Sequence, residues 1–445
     1  MSKDMTKGNP GKILFLFAVP MVLGNMFQQL YSIVDSIIVG KFVGAEALAS
    51  VGASYPITFV CITIANGAGI GCSVVISQYF GAKKFHKVKS SIYTSLISIL
   101  IISSIILILG FIFTENILTL MNTPDDIFQE AVVYLKIYFL GVVFLFMYNI
   151  VNSSFNALGD SKTPLFFLIF SSIVNIVLDL IIVINFNMGV KGAAIATLIS
   201  QAISGCFSLL FLIIMINKIQ TKEKVKPFNI AIFKSISKIA FPSILQQSII
   251  SVGNLCVQAL VNSFGSLIIA GYTAATKIDS ITILPMSNMS NAVSAFTAQN
   301  IGGEKMDRVH KGYKAALRII FVFCIIIAVV IFLFGSNIIG CFVNEEASVE
   351  VIEFGHNYLK IVSLCYFLMG FMVVTNGILR AAGDMKYFLI TSFINLFTRV
   401  SSAYVLSVIF KENSIALAVP LGWLAACIFV YTRYKSGKWR NKKVI

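Results

Sequence analysis

Charged residues are scarce in this 445-residue chain, where they make up only 12% of the sequence. Asp and Glu number 19 against 34 Lys and Arg, so that negative charge is the rarer sign. Hydrophobic residues make up 58%, and the mean hydropathy is +0.90. Soluble domains carry about 25% charged residues, so this composition excludes a soluble globular protein and predicts an integral membrane protein.

The sequence also lacks the short motifs that common enzyme reactions require. It has no Gly-x-x-x-x-Gly-Lys-Ser/Thr phosphate-binding loop, no His-Glu-x-x-His zinc motif and no Gly-x-Ser-x-Gly nucleophile elbow. The eight cysteines are isolated, mostly within apolar runs, and the three histidines are scattered, which favours neither disulfides nor a metal site. We therefore predict a protein that is not an enzyme and has no resident cofactor or metal.

Long apolar runs fill the chain, and polar or Gly- and Pro-marked breaks divide them into about twelve helices. A helix needs about 20 apolar residues to cross a hydrocarbon core of about 30 Å, and each run is long enough. The fold class is thus an all-α membrane protein. The predicted helices span 13–39, 53–77, 91–113, 132–155, 164–185, 192–217, 239–264, 267–297, 315–337, 355–379, 387–409 and 414–433.

The excess of positive charge, formally +15, lies in short loops between the apolar runs. Most Lys and Arg occupy alternate loops, the N-terminus and the C-terminal tail, whereas the opposite loops hold acids such as Asp125, Glu130, Glu345 and Glu346. This asymmetry is typical of the positive-inside rule and not of a nucleic-acid-binding face. It predicts a multi-pass membrane protein with both termini in the cytoplasm.

The chain repeats itself once. Tyr134-Leu-Lys-Ile137 recurs as Tyr358-Leu-Lys-Ile361 and Gly159-Asp160 as Gly383-Asp384, both 224 residues later. Two further pairs, beginning at Gln78 and Gln299 and at Ala18 and Ala240, recur at offsets of 221 and 222. Because six helices return the chain to the same side, the pattern predicts two six-helix bundles related by a pseudo-twofold axis along the membrane normal. The predicted domains are 1–217, a basic cytoplasmic linker 218–238, 239–433 and a basic cytoplasmic tail 434–445.

The first apolar run carries a polar stripe that ends on a carboxylate. Asn25, Gln28, Ser32 and Asp35 share one helical face, and an Asp at a helix centre costs about 2.5–3.5 kcal/mol on insertion. The stripe predicts one wall of a polar cavity, with Gln28 and Tyr31 as candidate substrate contacts. The alternative is an Asp near the interface that water satisfies.

A second carboxylate, Asp179, lies inside predicted helix 5 and shares a face with Asn175. Thr197 lies in predicted helix 6 beside a run of small residues. Carboxylate, amide and hydroxyl oxygens suit Na⁺, and two carboxylates can hold a proton between them. Asp35, Asn175, Asp179 and Thr197 are therefore the candidate site for a coupling cation.

The second half has a polar stripe of its own along predicted helix 7. Substrate binding and simple interhelical hydrogen bonding explain such a stripe equally well. Its candidate substrate contacts are Gln247, Asn254 and Gln258.

Lys277, Asp279 and Arg399 lie well inside predicted second-half helices, and two methionines of predicted helix 8 lie beyond Pro285. Lys277 and Asp279 are two apart and cannot pair along one helix, so Arg399 is a candidate partner for Asp279. A structural and a functional charge network are equally compatible with these residues. Met286 and Met289 are candidate substrate contacts because methionine adapts its shape, although packing is the commoner role.

The combination of motifs resembles the multidrug and toxic compound extrusion transporters, above all their bacterial DinF-like and MepA-like branch. The residues that carry the resemblance are Gln28-Gln29-Leu-Tyr31 with Asp35, Asn156-Ala-Leu-Gly159-Asp160-Ser-Lys-Thr-Pro164, Asn175-x-x-x-Asp179 and Tyr134-Leu-Lys-Ile137. The resemblance implies two lobes in a V, alternating access, and export of cationic or aromatic compounds in exchange for Na⁺ or H⁺. It places the cation site on Asp35, Asn175, Asp179 and Thr197, and drug contacts near Gln29 and Asn152.

We therefore predict an ion-driven secondary exporter that acts as a monomer on small organic cations. The alternative within the same fold is a flippase for a lipid-linked saccharide. A channel is disfavoured because the chain is a doubled unit without an obvious oligomeric pore. An enzyme is disfavoured because no catalytic constellation lies on one face.

Overall fold

The computed structural model describes residues 3–342, 349–442 and 444–445. The predicted loop acids Glu345 and Glu346, and Lys443 of the basic tail, lie outside these ranges. Within them all regular structure is helical, and no strand is present. The predicted all-α fold class is confirmed.

Six helical segments form the first half. The first four begin and end beyond the predicted apolar runs, and the last two begin earlier but end as predicted, because a helix continues past the hydrocarbon layer into the polar interface. The segments are α1 (Pro10–Phe42), α2 (Ala45–Gly81), α3 (Phe85–Leu120), α4 (Asp125–Ala157), α5 (Lys162–Asp179), which continues as a π-helical turn (Leu180–Asn185), and α6 (Gly189–Asn217).

The described part of the second half contains seven α-helices, because the predicted tenth helix is divided in two. They are α7 (Ile230–Asn262), α8 (Ser266–Gly302), α9 (Met306–Gly340), α10 (Val349–Leu364), α11 (Tyr366–Ala382), α12 (Met385–Phe410) and α13 (Ser414–Lys435). The pair α10 and α11 bends by 51° at Cys365. Short 3₁₀ turns at Lys411–Asn413 and Lys438–Asn441 complete the described helical structure.

Among the described residues, length and hydropathy give ten helical stretches able to span a membrane, or eleven when the bent pair α10–α11 is included. One of the ten, Met385–Lys435, has 51 residues, far more than the ~20 that one crossing requires. It contains α12 and α13, which lie so close that a side chain on Gly422 of α13 would collide with Arg399 and Asn395 of α12. The described helices therefore make the twelve predicted crossings.

The sequence repeat is also present in the backbone. α1 and α7 both have 33 residues, and α2 and α8 both have 37. Gly159 and Gly383 both have a φ of +81°, the left-handed region that favours glycine. The loop residues Lys83 and Glu304, 221 positions apart, have φ values of 56° and 57°. The two halves thus share helix lengths and turn geometry.

The chain divides into two compact units. One is formed mainly by Pro20–Ile244, and the other by Met5–Val19 with Leu245–Ile445. The first turns of α1 therefore belong to the second unit, and the first turns of α7 belong to the first. α7 begins at Ile230, within the range predicted as linker.

Small residues allow the helices of the first unit to pack closely. Gly67 and Gly71 of α2 face Ile236, Ala240 and Ile244 at the start of α7, and no Cβ fits there. α4 packs against α2, α3 and α6, and α5 packs against α6. This arrangement places the end of α5 beside α6 and α4, where the site described below is formed.

The second unit is built in the same way. α8 packs against α9, α10 and α11, and α13 packs against α11 and α12. The N-terminal segment Met5–Gly8 is fixed to this unit, because Arg308 donates to the carbonyl oxygens of Met5 and Gly8 at 3.1 and 2.9 Å. Met5 donates its backbone N–H to Gln299 Oε1 at 2.9 Å.

Candidate functional site

Two membrane carboxylates of the first unit meet at one place. Asp35 lies on α1 and Asp179 is the last residue of α5, and their carboxyl groups lie within direct interaction distance of each other. Asp179 is fully buried and Asp35 is partly buried. Neither Asp179 oxygen, nor Asp35 Oδ1, makes a regular hydrogen bond to any described residue. The structure thus brings together the two carboxylates that the sequence marks as a cation site.

Asn175 lies one turn before Asp179 on the same face of α5 and is 2% exposed. Both its amide oxygen and its amide nitrogen lack a hydrogen-bond partner among the described residues. Buried amide atoms are nearly always paired, and an unpaired one costs about 1–3 kcal/mol. The unpaired polar atoms of Asn175 and of the two carboxylates thus lie on neighbouring side chains.

The backbone changes character directly after Asp179. Leu180–Asn185 form a π-helical turn, a rare element that often marks functional sites. α6 packs against this turn through Gly192, where a Cβ would lie only 3.1 Å from Ile182 Cγ2. The widened turn and the close approach of α6 fix the end of α5, and with it the position of Asp179.

Tyrosines link the carboxylate pair to Thr197. Tyr31 of α1 and Tyr134 of α4 both lie within electrostatic range of Asp35 and Asp179. Tyr134 also lines a small cavity of about 10 Å³ together with Tyr138, Thr197 and Gln201. That volume is about what one water molecule needs. No described hydrogen bond joins the Thr197 side chain to either carboxylate, so Thr197 is a neighbour of the pair through Tyr134.

An apolar cluster lies next to the carboxylates along α1. Its buried members are Ile38, Val39, Ala47, Val183, Val190 and Ala193, with Tyr134 packed against them. The cluster follows Asp35 by one turn on α1 and Asp179 by one turn of the π-helix. It therefore separates the polar site from the nearest helix ends and keeps the carboxylates in a low-dielectric environment.

The predicted first-half substrate contacts occupy accessible positions. Gln28 and Gln29 are exposed on α1, and Tyr31 and Asn152 are partly buried. Asn152 Oδ1 accepts a hydrogen bond from Asn156 Nδ2 at 3.0 Å. The structure holds no ligand that tests them, so these four residues stay predictions.

The second unit has its own membrane carboxylate, Asp279 of α8. Tyr366 at the start of α11 donates its hydroxyl to Asp279 Oδ1 at 2.6 Å. Arg399 of α12 lies within electrostatic range of Asp279 but donates from Nη1 to Asn254 Oδ1 at 3.0 Å, and its Nε is buried without a partner. Among the described residues Asp279 and Arg399 form no ion pair. Lys277 is exposed and makes no ion pair in that part of the chain.

The other predicted second-half contacts fall into two groups. Gln247 and Gln258 are partly buried on α7, and Gln258 donates to Asn262 Oδ1 at 2.9 Å. Met286 and Met289 on α8 are 0% and 4% exposed, and Met286 packs beside Gly370 of α11. Their burial favours the packing alternative for the two methionines.

Comparison with known proteins shows to which family the chain belongs. A family model described as MatE matches residues 20–181 and 242–405, in both halves of the repeat. The chain belongs to the MatE family. It is 32% identical to the probable multidrug resistance protein YpnP of Bacillus subtilis over 99% of this chain and 98% of that protein. It is 25% identical to the multidrug export protein MepA of Staphylococcus saprophyticus over 96% of this chain and 94% of that protein.

Solved structures support the same fold. An outward-facing multidrug resistance MATE family transporter of the MOP superfamily superposes with a TM-score of 0.90 at 24% identity, covering 99% of this chain and 98% of that one. MatE proteins are multi-pass membrane transporters that act on small molecules and are not enzymes. The resemblance seen in the sequence, and the prediction of a transporter instead of an enzyme, are confirmed.

Four tyrosines of this MatE chain were missed as site residues. Tyr134 lies near Asp35 and Asp179, and its repeat counterpart Tyr358 lies near Asp279. Tyr358 packs edge-on against Tyr272 with ring centroids 5.5 Å apart, and Tyr366 bonds Asp279 directly. The recurrence of Tyr-Leu-Lys-Ile in both halves was the sequence signal for Tyr134 and Tyr358. Each of the two lies near a membrane carboxylate of its own half, which is a polar partner for a buried tyrosine hydroxyl.

Proposed function

We propose that this MatE chain is a secondary active multidrug exporter that exchanges cationic or aromatic compounds for H⁺ or Na⁺. The observation that carries the proposal is the Asp35–Asp179 pair, with its unpaired oxygens and the unpaired amide of Asn175. Asp35, Asn175, Asp179 and Thr197 are the proposed coupling site. The relatives named as multidrug resistance and multidrug export proteins support the substrate class.

The energetics of the pair explain why it requires a cation. Two negative charges in contact repel each other strongly in a medium of low dielectric constant, and burial adds a desolvation cost of several kcal/mol for each charge. No described Lys or Arg pairs with either carboxylate. A proton shared between the carboxylates, or a Na⁺ held by their oxygens with Asn175 Oδ1, removes most of this cost.

Substrate and ion are proposed to compete through α1. Gln28, Gln29 and Tyr31 lie one to two turns before Asp35 on that helix, and Asn152 of α4 belongs to the same unit. Pro20 lies inside α1 and removes one backbone hydrogen bond, and the part of α1 that belongs to the first unit begins there. Binding of H⁺ or Na⁺ to the two carboxylates then favours one conformation of α1 beyond Pro20, and binding of the substrate favours another.

The second unit is proposed to contribute polar substrate contacts and not a second carboxylate pair. Asn254 and Gln258 on α7 present amides, and Asp279 is already bonded by Tyr366. We further propose that the protein is a monomer in the bacterial cell membrane. The charge asymmetry of its loops supports a cytoplasmic location for both termini.

Ethidium efflux from proteoliposomes tests the proposal. A pH gradient or a Na⁺ gradient is imposed, and the wild type is compared with Asp35→Asn and Asp179→Asn. The control is Asp125→Asn, which removes an exposed carboxylate at the start of α4. We expect one gradient to accelerate efflux in the wild type and in the control, and to have no effect in the two site variants. Wild-type rates in both site variants would contradict the proposal.

A further inference from the structure

A basic cavity lies at the edge of the second unit, far along α1 from the carboxylate pair. Its volume is about 640 Å³, and the start of α1 and residues 311–319 of α9 form its walls. Its cationic lining residues are Lys12 on α1 and Lys311, Lys314 and Arg318 on α9, and its apolar ones include Phe15 and Ile319. Both helix segments belong to the same unit. No Asp or Glu is among the residues that line the cavity.

The four cations are available to a ligand. All four side chains are exposed, and none makes a hydrogen bond or ion pair to a described residue. Asp307, one turn before Lys311 on α9, forms no ion pair with it. Lys311, Lys314 and Arg318 are spaced i, i+3 and i+7 and therefore share one face of α9. Four like charges around one cavity create a positive potential that an anion lowers.

The cavity has fixed walls. Asn9 Oδ1 accepts the backbone N–H groups of Gly11 and Lys12 at 2.9 and 3.2 Å, which satisfies the first turn of α1. Arg308 holds the preceding segment through the carbonyl oxygens of Met5 and Gly8. A ligand in the cavity therefore meets the lysine and arginine side chains and not free backbone N–H groups of α1.

The position of the cavity matches the boundary between headgroups and hydrocarbon. Lys311 and Arg318 are seven residues apart, which corresponds to about 10 Å along a helix and about the depth of a headgroup layer. Beyond Arg318, α9 presents the exposed side chains Phe321 and Val322, which are 55% and 57% exposed, and Phe15 on α1 is 52% exposed. A molecule with an anionic head and an apolar tail fits this order of charges and apolar surface.

We propose that this cavity binds an anionic phospholipid, with its phosphate among Lys12, Lys311, Lys314 and Arg318 and an acyl chain along Phe15 and Ile319. A free phosphate matches the charges but not the apolar wall. The ligand is a lipid of the leaflet at the N-terminal end of α1, and its binding is independent of the exported compound and the coupling ion.

Native mass spectrometry of the full chain in detergent tests this site. The protein is titrated with dioctanoyl phosphatidylglycerol or dioctanoyl phosphatidylcholine, with and without inorganic phosphate as competitor. The site variant is Lys311→Gln/Lys314→Gln/Arg318→Gln. The control variant is Lys218→Gln/Lys222→Gln/Lys224→Gln, which removes the same charge from exposed positions in the segment between α6 and α7.

We expect the wild type and the control to bind phosphatidylglycerol more tightly than phosphatidylcholine. Since the site variant loses three of the four cations around the phosphate, it should bind phosphatidylglycerol at least about tenfold more weakly. Equal losses in both variants would show a general charge effect and overturn the site. Unchanged binding in the site variant would overturn it as well. Displacement by millimolar phosphate would show a free-anion site in place of a lipid site.

Discussion

Tyr366 and Asp279 form a polar link between α11 and the membrane-embedded part of α8, with the tyrosine hydroxyl 2.6 Å from Asp279 Oδ1. Tyr366 is fully buried and begins α11 directly after the bend at Cys365. A distance this short is typical of a hydroxyl bonded to a charged carboxylate. The bond therefore fixes the bent helix pair α10–α11 to α8 and gives the Asp279 carboxylate a hydrogen-bond donor.

Replacing Tyr366 with Phe should destabilise the protein by about 1.5–3 kcal/mol, because the substitution leaves a buried carboxylate oxygen without its donor. The midpoint of thermal unfolding in detergent measures the loss. The control is Tyr404→Phe, which removes a longer bond of 3.3 Å from an exposed hydroxyl to the carbonyl of Cys256. Equal midpoints for the two variants would show that the Tyr366–Asp279 bond stabilises the protein no more than the exposed Tyr404 bond does.

A buried ion pair should stabilise the end of the chain. Arg433 Nε of α13 donates to Asp384 Oδ2 at 2.6 Å, and its guanidinium lies 3.8 Å from the ring centroid of Tyr387. Removing one member of a buried pair costs about 3–5 kcal/mol, so Arg433→Gln should unfold at a clearly lower temperature.

The exposed neighbour Lys435 supplies the matched control, Lys435→Gln, which should unfold like the wild type. The double variant Asp384→Asn/Arg433→Gln should lose less than the sum of the two single variants, because neither charge is left alone. Strictly additive losses would contradict coupling between Arg433 and Asp384.

Asp160 should make stability depend on pH. Burial alone raises the pKa of Asp160, but hydrogen bonds from the backbone N–H and hydroxyl of Thr163 outweigh it and hold the pKa below its ordinary value. A lowered pKa in the folded state stabilises the protein above about pH 4, the value for an unfolded Asp, and the stabilisation fades as pH falls further.

Thermal unfolding at several pH values measures this effect. Asp160→Asn should be less stable than the wild type by about 0.5–2 kcal/mol at pH 7, as expected for a weakened helix cap, and the difference should shrink below about pH 4. Asp125→Asn serves as the exposed control. A difference that grows as pH falls would contradict the assigned role of Asp160.

Labelling of introduced cysteines tests the proposed orientation. Lys222→Cys lies in the exposed basic segment between α6 and α7, and Asp125→Cys lies in the acidic segment at the start of α4. An impermeant maleimide should label Asp125→Cys in intact cells and Lys222→Cys only after permeabilisation, relative to the parent protein with its native cysteines. The reverse pattern would place both termini outside.

Much of the fold was predictable because the apolar runs and the internal repeat can be identified directly in the sequence. Twelve apolar runs and a repeat at offsets of 221–224 residues gave the helices and the two halves, and a hydrocarbon layer leaves few alternatives to helices. The bend at Cys365 was not predictable, because no proline stands there and the apolar run continues through it. Nor did the runs show that α1 and α7 each begin in the other unit.

The two carboxylates of the site could be predicted from the sequence, whereas the tyrosines around Asp279 could not. An Asp in an apolar run is costly, so Asp35 and Asp179 stood out by composition alone. Tyr272 and Tyr366 lie outside the repeated motif, and their importance depends on the tertiary contact of each with Asp279. The Asp279–Arg399 pair was predicted from charge alone, but Arg399 donates to Asn254 of α7, a tertiary contact that the sequence does not show.

Ion release on substrate binding is the measurement that decides whether the Asp35–Asp179 pair couples ion to substrate. Ethidium is added to purified protein in weakly buffered detergent, and released protons or displaced radioactive sodium are counted. The wild type and Asp125→Asn should release one kind of ion as ethidium binds, whereas Asp35→Asn/Asp179→Asn should bind ethidium without release. Undiminished ion release from the double variant would show that the exchanged ion is held elsewhere.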